Sequence, residues 1–189
     1  MLNLLLKKAS GGTIMANMYL MCGHIASGKS WFAKRFAGKN GYRYLDIDAC
    51  YQIYNGDEKV HENKFEVWIL FYQLIHQAAM LKHDTVVDTN APLMSYRDEF
   101  LSWFPEFDQH HLIWIDADPE LAWTNNLGRE RSVPRETFDH LIANFQEPTA
   151  DEGVTVCRSA WDSICRIKNR NNELQPQEFI KGDPWDCSI

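Results

Sequence analysis

Eight consecutive residues, Gly23 to Ser30, read G-H-I-A-S-G-K-S and satisfy the phosphate-binding pattern G-x-x-x-x-G-K-[ST] at every fixed position. In such a loop, backbone N–H groups and the N-terminus of the following helix converge on one point and hold phosphate oxygens. Gly23 and Gly28 permit torsions and a close ligand approach that a Cβ would obstruct. Lys29 is spaced to reach the β- and γ-phosphates, and the Ser30 hydroxyl to coordinate Mg²⁺. His24, Ile25, Ala26 and Ser27 between the glycines, and Trp31 just beyond, complete the stretch expected to hold a nucleotide. The loop lies between an apolar run, Met18 to Cys22, that reads as a buried strand, and a helical stretch, Trp31 to Phe36. The expectation is binding of ATP or GTP.

Three further segments carry groups that suit phosphate chemistry. L-D-I-D-A-C-Y-Q, Leu45 to Gln52, follows a second strand and offers two carboxylates. Asp48 is the candidate general base, able to accept a hydroxyl proton and orient the oxygen in line with the γ-phosphate. Asp46 is its rival, and one of the two is expected to cap the next helix. V-V-D-T-N-A-P, Val86 to Pro92, ends a third strand. There Asp88 suits Mg²⁺ or an acceptor, and Thr89 and Asn90 offer neutral hydrogen bonds to a substrate; a helix-capping turn is the competing use. N-N-L-G-R-E-R-S-V-P places Arg129 and Arg131 in a loop suited to a lid. A guanidinium over transferring phosphate neutralises developing charge and binds oxygens bidentately. Arg135, a little further on, is the weaker of the three arginines for that role.

Other eye-catching residues read as structural. The seven histidines include His110 and His111 but show no metal-ligand spacing, and the seven tryptophans suit packing. Arg158, Arg166, Lys168 and Arg170, interleaved with Trp161 and Ile164, read as the solvated face of an amphipathic helix.

The elements that must position these groups alternate strand and helix, the pattern of a parallel sheet covered on both faces. Strands are expected at 18–22, Tyr42–Ile47, Thr85–Asp88 and His111–Asp116, with a late one near Gly153–Cys157. Phe65, Trp68, Ile69, Tyr72, Ile75 and Ala79 follow helical spacing. Further helices are expected over Met94–Phe104, Pro119–Leu127 and Pro134–Phe145, the last with Pro at its first position. The fold class is therefore α/β, a sheet of about five parallel strands flanked by helices, with ligands at the strand C-terminal ends.

The chain has 189 residues, 45% hydrophobic and 13% aromatic, which suits one domain. Its boundaries read as a leader over 1–17, a domain over 18–181 and a tail over 182–189. The net charge of −7 argues against a surface built to grip long nucleic acid. The five cysteines form no C-x-x-C pair, which suits a reducing cytoplasm. No run of eighteen apolar residues exists, so no membrane partner is expected.

With these segments in hand, the chain resembles the polynucleotide-kinase-like group of P-loop kinases, an AAA-type group that includes the phage polynucleotide kinase domain. The resemblance covers about residues 18–157. G-H-I-A-S-G-K-S-W-F-A-K-R-F corresponds to the group's phosphate loop and helix, I-D-A-C-Y-Q to the segment of its catalytic aspartate (Asp48), V-V-D-T-N to its third-strand motif, and R-E-R-S-V-P with F-Q-E-P-T-A-D-E-G to its lid. It implies a P-loop NTP hydrolase fold with a small lid, and transfer of the γ-phosphate of Mg-ATP to a hydroxyl of a small molecule or of a nucleic acid 5′ end. Two departures remove positive charge from the substrate side: Tyr51 and Asn125 stand where the group carries arginines. Together with the acidic net charge they lean towards a small-molecule acceptor. The alternatives are an NTPase switch or regulatory module without an acceptor, and a toxin-like kinase acting on a nucleotide sugar. The oligomeric state, and the choice of ATP over GTP, are not encoded legibly.

Overall fold

A computed structural model describes residues 15–149 and the backbone of residues 164–169. In chain order the elements are β1 (Asn17–Cys22), α1 (Lys29–Asn40), β2 (Arg43–Asp46), α2 (Ile47–Asn55), α3 (Lys64–Met80), β3 (Thr85–Asp88), α4 (Met94–Ser102), β4 (Gln109–Ala117), α5 (Pro119–Leu127), α6 (Arg135–Ala143) and β5 (Ile164–Asn169). The strands form one five-stranded sheet of order β2-β3-β1-β4-β5, and every pairing is parallel. The α/β class and the flanking helices are as the sequence pattern implies.

Side chains alternate across a strand, and this alternation builds two cores. Met18, Leu20, Val87, Leu112 and Trp114 face one side, where Val67, Phe71 and Ile75 of α3 and Phe100, Leu101 and Phe104 pack against them. Tyr19, Met21, Val86, Ile113 and Ile115 face the other side, covered by Phe32, Ala33, Phe36 and Ala37 of α1. Being apolar on both faces, the inner strands read as unbroken hydrophobic runs.

Several expected boundaries move. The second strand ends at Asp46 rather than Ile47, because the Asp46 carboxylate accepts from the Asp48 N–H and starts α2 there. The first helix is longer than 31–36, closed by Gly41 in a left-handed conformation. Pro134 precedes α6 as its cap instead of occupying its first turn. On α3 the buried stripe is Val67, Phe71, Ile75 and Ala78, whereas Phe65 and Ile69, read as packed, point outward. Ala16 and Asn17, assigned to a leader, belong to the fold: Ala16 is fully buried, with its N–H on the Asp108 carboxylate at 2.6 Å, and Asn17 opens β1. The late strand expected near Gly153–Cys157 lies outside the described residues. The segment 164–169, read as part of a helix, is a strand that pairs with Leu112–Ala117. Arg158, Trp161 and Arg170 of that reading lie outside the described residues.

Phe71→Ala is expected to cost about 3–5 kcal/mol of stability, the usual penalty for emptying a fully buried aromatic site. Phe65→Ala, on the exposed face of the same helix, should stay within about 0.5 kcal/mol. Urea unfolding of both variants checks the orientation of α3, and equal costs would contradict it.

Candidate active site

The C-terminal ends of β1, β2 and β3, with the loop between α5 and α6, enclose a cavity of ≈ 750 Å³. Sixteen of the residues singled out in the sequence line it together: His24, Ile25, Ala26, Ser27, Gly28, Lys29, Ser30, Trp31, Asp46, Asp48, Asp88, Thr89, Asn90, Asn125, Arg129 and Arg131. Gly23 does not line it but lies beneath. Its φ is +146°, and a Cβ there would stand 2.7 Å from the Ile115 carbonyl and 2.8 Å from Ser27 Oγ.

Gly28, left-handed at φ 98°, is the N-cap of α1, so the helix begins at Lys29 with no side-chain cap on its first N–H groups. Free donors at a helix start are the makings of an anion site. Lys29 Nζ donates to the Gly23 carbonyl at 2.7 Å and the His24 carbonyl at 3.0 Å. Desolvation lowers the Lys29 pKa, and the Asp88 carboxylate is the largest influence opposing that fall. His24 is buried, with Nε2 at 2.7 Å from the Ala117 carbonyl and Nδ1 at 2.9 Å from the Ile25 carbonyl. Trp31 is exposed, and the Arg35 guanidinium lies 3.7 Å from its ring centroid.

Three carboxylates face the loop. Asp46 and Asp88 are register partners at the ends of β2 and β3. Asp88 is buried and accepts from the Tyr44 hydroxyl at 2.8 Å. Burial, then the Asp88 charge, push Asp46 up to about 6, against the lowering effect of the Asp48 N–H. Asp46 is thus the capping member of the Asp46–Asp48 pair. The Asp48 carboxylate is free of capping and is instead gripped by Arg131, whose Nη2 stands 2.5 Å from its Oδ2. Beyond Asp88, Thr89 is buried and Asn90 exposed at the rim.

The loop from Arg129 to Pro134 reaches across the cavity to the segment after α2. Arg131 Nε pairs with Glu58 at 3.4 Å, and Lys59 pairs with Glu130 at 2.5 Å. The Asp48 hydrogen bond raises the Arg131 pKa above its ordinary value. The Arg129 guanidinium makes no hydrogen bond or ion pair among the described residues. Partial desolvation, then the Arg131 charge, lower its pKa. Arg135 is turned away, bound to Asp139 and Glu120 on the surface.

Mg²⁺ bound with ATP takes few protein ligands and keeps several waters. The Ser30 hydroxyl at the head of α1 and the buried Asp88 carboxylate, both lining the cavity, are oxygen donors that suit it. Among the described residues no group of three or more His, Cys, Asp or Glu is arranged to hold a metal by itself. No helix among them is long and apolar enough to cross a membrane.

Some contributors are not among the residues expected to carry the chemistry. His61 lines the cavity and packs on Tyr51 with ring centroids 4.6 Å apart. Tyr51 itself is buried in the core beneath. Phe145 closes the opposite wall against His24. Behind that wall the fully buried Arg97 donates to the carbonyls of Ala91 and Gln146, both at 3.1 Å, tying the turn after β3 to the end of α6. Followed by Asp98 and Glu99 in a mixed-polarity helix, it carries no sequence signal of burial.

The family model described as "AAA domain" matches residues 18–148. No curated protein sequence matches the chain. Among solved structures, the chain is similar to a sugar kinase from Janibacter sp. HTCC2649, with 18% identity, a TM-score of 0.59, and 88% of this chain and 91% of that one covered. A gluconokinase from Sinorhizobium meliloti is 15% identical with a TM-score of 0.54, covering 83% of this chain and 84% of that one. A chain of the Pnkp1/Rnl/Hen1 RNA repair complex is 14% identical with a TM-score of 0.61, covering 72% of this chain and 46% of that one. At these identities the likeness is one of fold.

Asp46 has a folded-state pKa above its ordinary carboxylate value, so its contribution favours folding at low pH and is lost as pH rises through about 6. Asp46→Asn keeps a capping oxygen without the charge. Its stability relative to the parent should therefore climb from about pH 4 to about pH 6 and level off above that in urea titrations. A pH-independent difference would contradict the assignment.

Proposed function

We propose a kinase activity for this chain, which belongs to the AAA-domain family: transfer of the γ-phosphate of Mg-ATP to a hydroxyl group of a small molecule. The observation that carries this reading is a single cavity holding the phosphate loop, the Asp48 carboxylate in the first turn of α2 and two lid arginines. In it, the loop amides, Lys29 and Ser30 bind the phosphates and Mg²⁺, with Asp88 as a further oxygen donor towards the metal. Asp48 accepts the proton of the acceptor hydroxyl. Arg129 and Arg131 neutralise the charge that grows on the transferring group. Mg²⁺ supplies countercharge and orientation for the phosphate oxygens when bound.

One feature supports a small acceptor over a nucleic acid end. The wall beside Asp48 holds Asp46 and Asp88, and the neighbouring cation, Arg131, is already paired with Asp48 and with Glu58. A polyanionic strand is poorly served by such a wall. The Asp48–Arg131 pair also favours a second reading, a nucleotide-dependent switch, since phosphate entering the cavity competes for Arg131.

Lys29→Ala is expected to abolish phosphate transfer while leaving the fold intact. Asp48→Asn should lower turnover by about 10²–10⁴-fold with little change in nucleotide affinity. Transfer from γ-labelled ATP to sugars, amino alcohols, nucleosides and 5′-hydroxyl oligonucleotides, beside equilibrium ATP binding, checks both. Wild-type turnover by Asp48→Asn on the labelled acceptor would remove it from the role of base. Label on oligonucleotides alone would overturn the small-molecule acceptor, and ATP hydrolysis without any labelled product would favour the switch.

A further inference from the structure

We propose that Asn125 is a positioning residue for the phosphate loop, holding the loop in its anion-binding shape before a nucleotide arrives. This rests on the reading that the loop binds nucleotide. Within the loop, Gly23 and Gly28 have positive φ without penalty, but Ala26 also does, at 56°. A residue with a Cβ resists the left-handed region and persists there only when its surroundings enforce it. The turn inside the loop is loosely closed, the Ser27 N–H reaching the His24 carbonyl at 3.3 Å. Lys29 holds the carbonyls of Gly23 and His24 but not that of Ala26. The Ala26 carbonyl is held from outside, by Asn125 Nδ2 at 3.1 Å, from a residue 99 positions away.

The helix that carries Asn125 is well anchored. Asp118 Oδ1 accepts from the N–H groups of Glu120 and Leu121, and Pro119 opens the first turn. Just before it, the Ala117 carbonyl meets His24 Nε2. The loop is therefore tied to both ends of α5, through His24 at the start and Asn125 near the end. The next residue, Asn126, is fully buried and clasps the lid base: its Nδ2 donates to the Val133 carbonyl at 2.9 Å, and its Oδ1 accepts from the Val133 N–H at 3.1 Å. Adjacent amides on one rigid turn thus hold the loop and the lid in fixed relation. Preorganisation of this kind lowers the cost of ordering the site on binding.

The test is hydrogen exchange of the ligand-free full chain together with its Mg-ATP affinity. Asn125→Ala should accelerate exchange at the amides of residues 24–28 while leaving α3 and the melting transition unchanged. Its Mg-ATP dissociation constant should rise about five- to tenfold, the range for one lost hydrogen bond, with KM for ATP rising and kcat kept. Asn125→Gln, which retains an amide donor, should recover part of the affinity and protection, and serves if the alanine variant does not fold. Unchanged loop exchange with weakened ATP binding would make Asn125 a direct nucleotide contact and overturn the proposal. Accelerated exchange throughout the chain would make its role purely structural and overturn it as well. If the parent protein binds no Mg-ATP, the nucleotide reading fails instead, and loop exchange in Asn125→Ala still decides whether the clamp exists.

Discussion

The backbone turn at Gly23 is the constraint on which the rest of the cavity depends. The chain leaves β1 with the Ile115 carbonyl of β4 on one side and the Ser27 hydroxyl on the other, both closer than any Cβ tolerates. Only a glycine passes through that gap at positive φ. From this turn the loop doubles back so that its carbonyls face Lys29, and α1 starts at Gly28 with its first N–H groups uncapped by any side chain. The position of α1, and with it one of the two cores, therefore follows from a reversal of a few residues.

Around that loop the fold concentrates negative charge. Parallel pairing brings Asp46 and Asp88 into register at adjacent strand ends, and the start of α2 adds Asp48 immediately afterwards. Each carboxylate has a different compensation: a backbone N–H for Asp46, the Tyr44 hydroxyl for Asp88, and the Arg131 guanidinium for Asp48. These are partial remedies, as the raised Asp46 pKa shows. Like charges gathered in one cavity cost stability and are typical of sites kept for chemistry. A magnesium nucleotide would bring a further cation to this wall.

The lid works by the opposite principle. Its charged side chains reach over the cavity and meet the segment after α2 in paired signs, Glu130 with Lys59 and Arg131 with Glu58. The Lys59–Glu130 pair lies in solvent and is weakly held, whereas the Asn126 clasp beneath it is buried. The lid is thus clasped at its base by Asn126 and tied to Asp48 and Glu58 by Arg131, while Glu130 at its tip lies in solvent.

What the sequence determined by itself was everything governed by adjacent residues. The loop motif, the strand-ending carboxylates, the helix start at Pro119 and the short apolar strands depend on local torsions and alternation, and those are written in neighbouring letters. The candidate residues consequently met in one cavity, because parallel strands bring their C-terminal ends to the same edge of the sheet. The tertiary structure decided what depends on distant partners. It turned Val67 and Phe71 inward instead of Phe65 and Ile69, since helical spacing gives a stripe but not which stripe the sheet covers. It made 164–169 a strand, because pairing with β4 outweighs a helical spacing of charges. It chose Asp46 as the cap, and so left Asp48 to Arg131. It brought His61 to the cavity, set Arg97 behind its wall, and placed Asn125, marked in the sequence only as a departure from an arginine, on the Ala26 carbonyl 99 positions away.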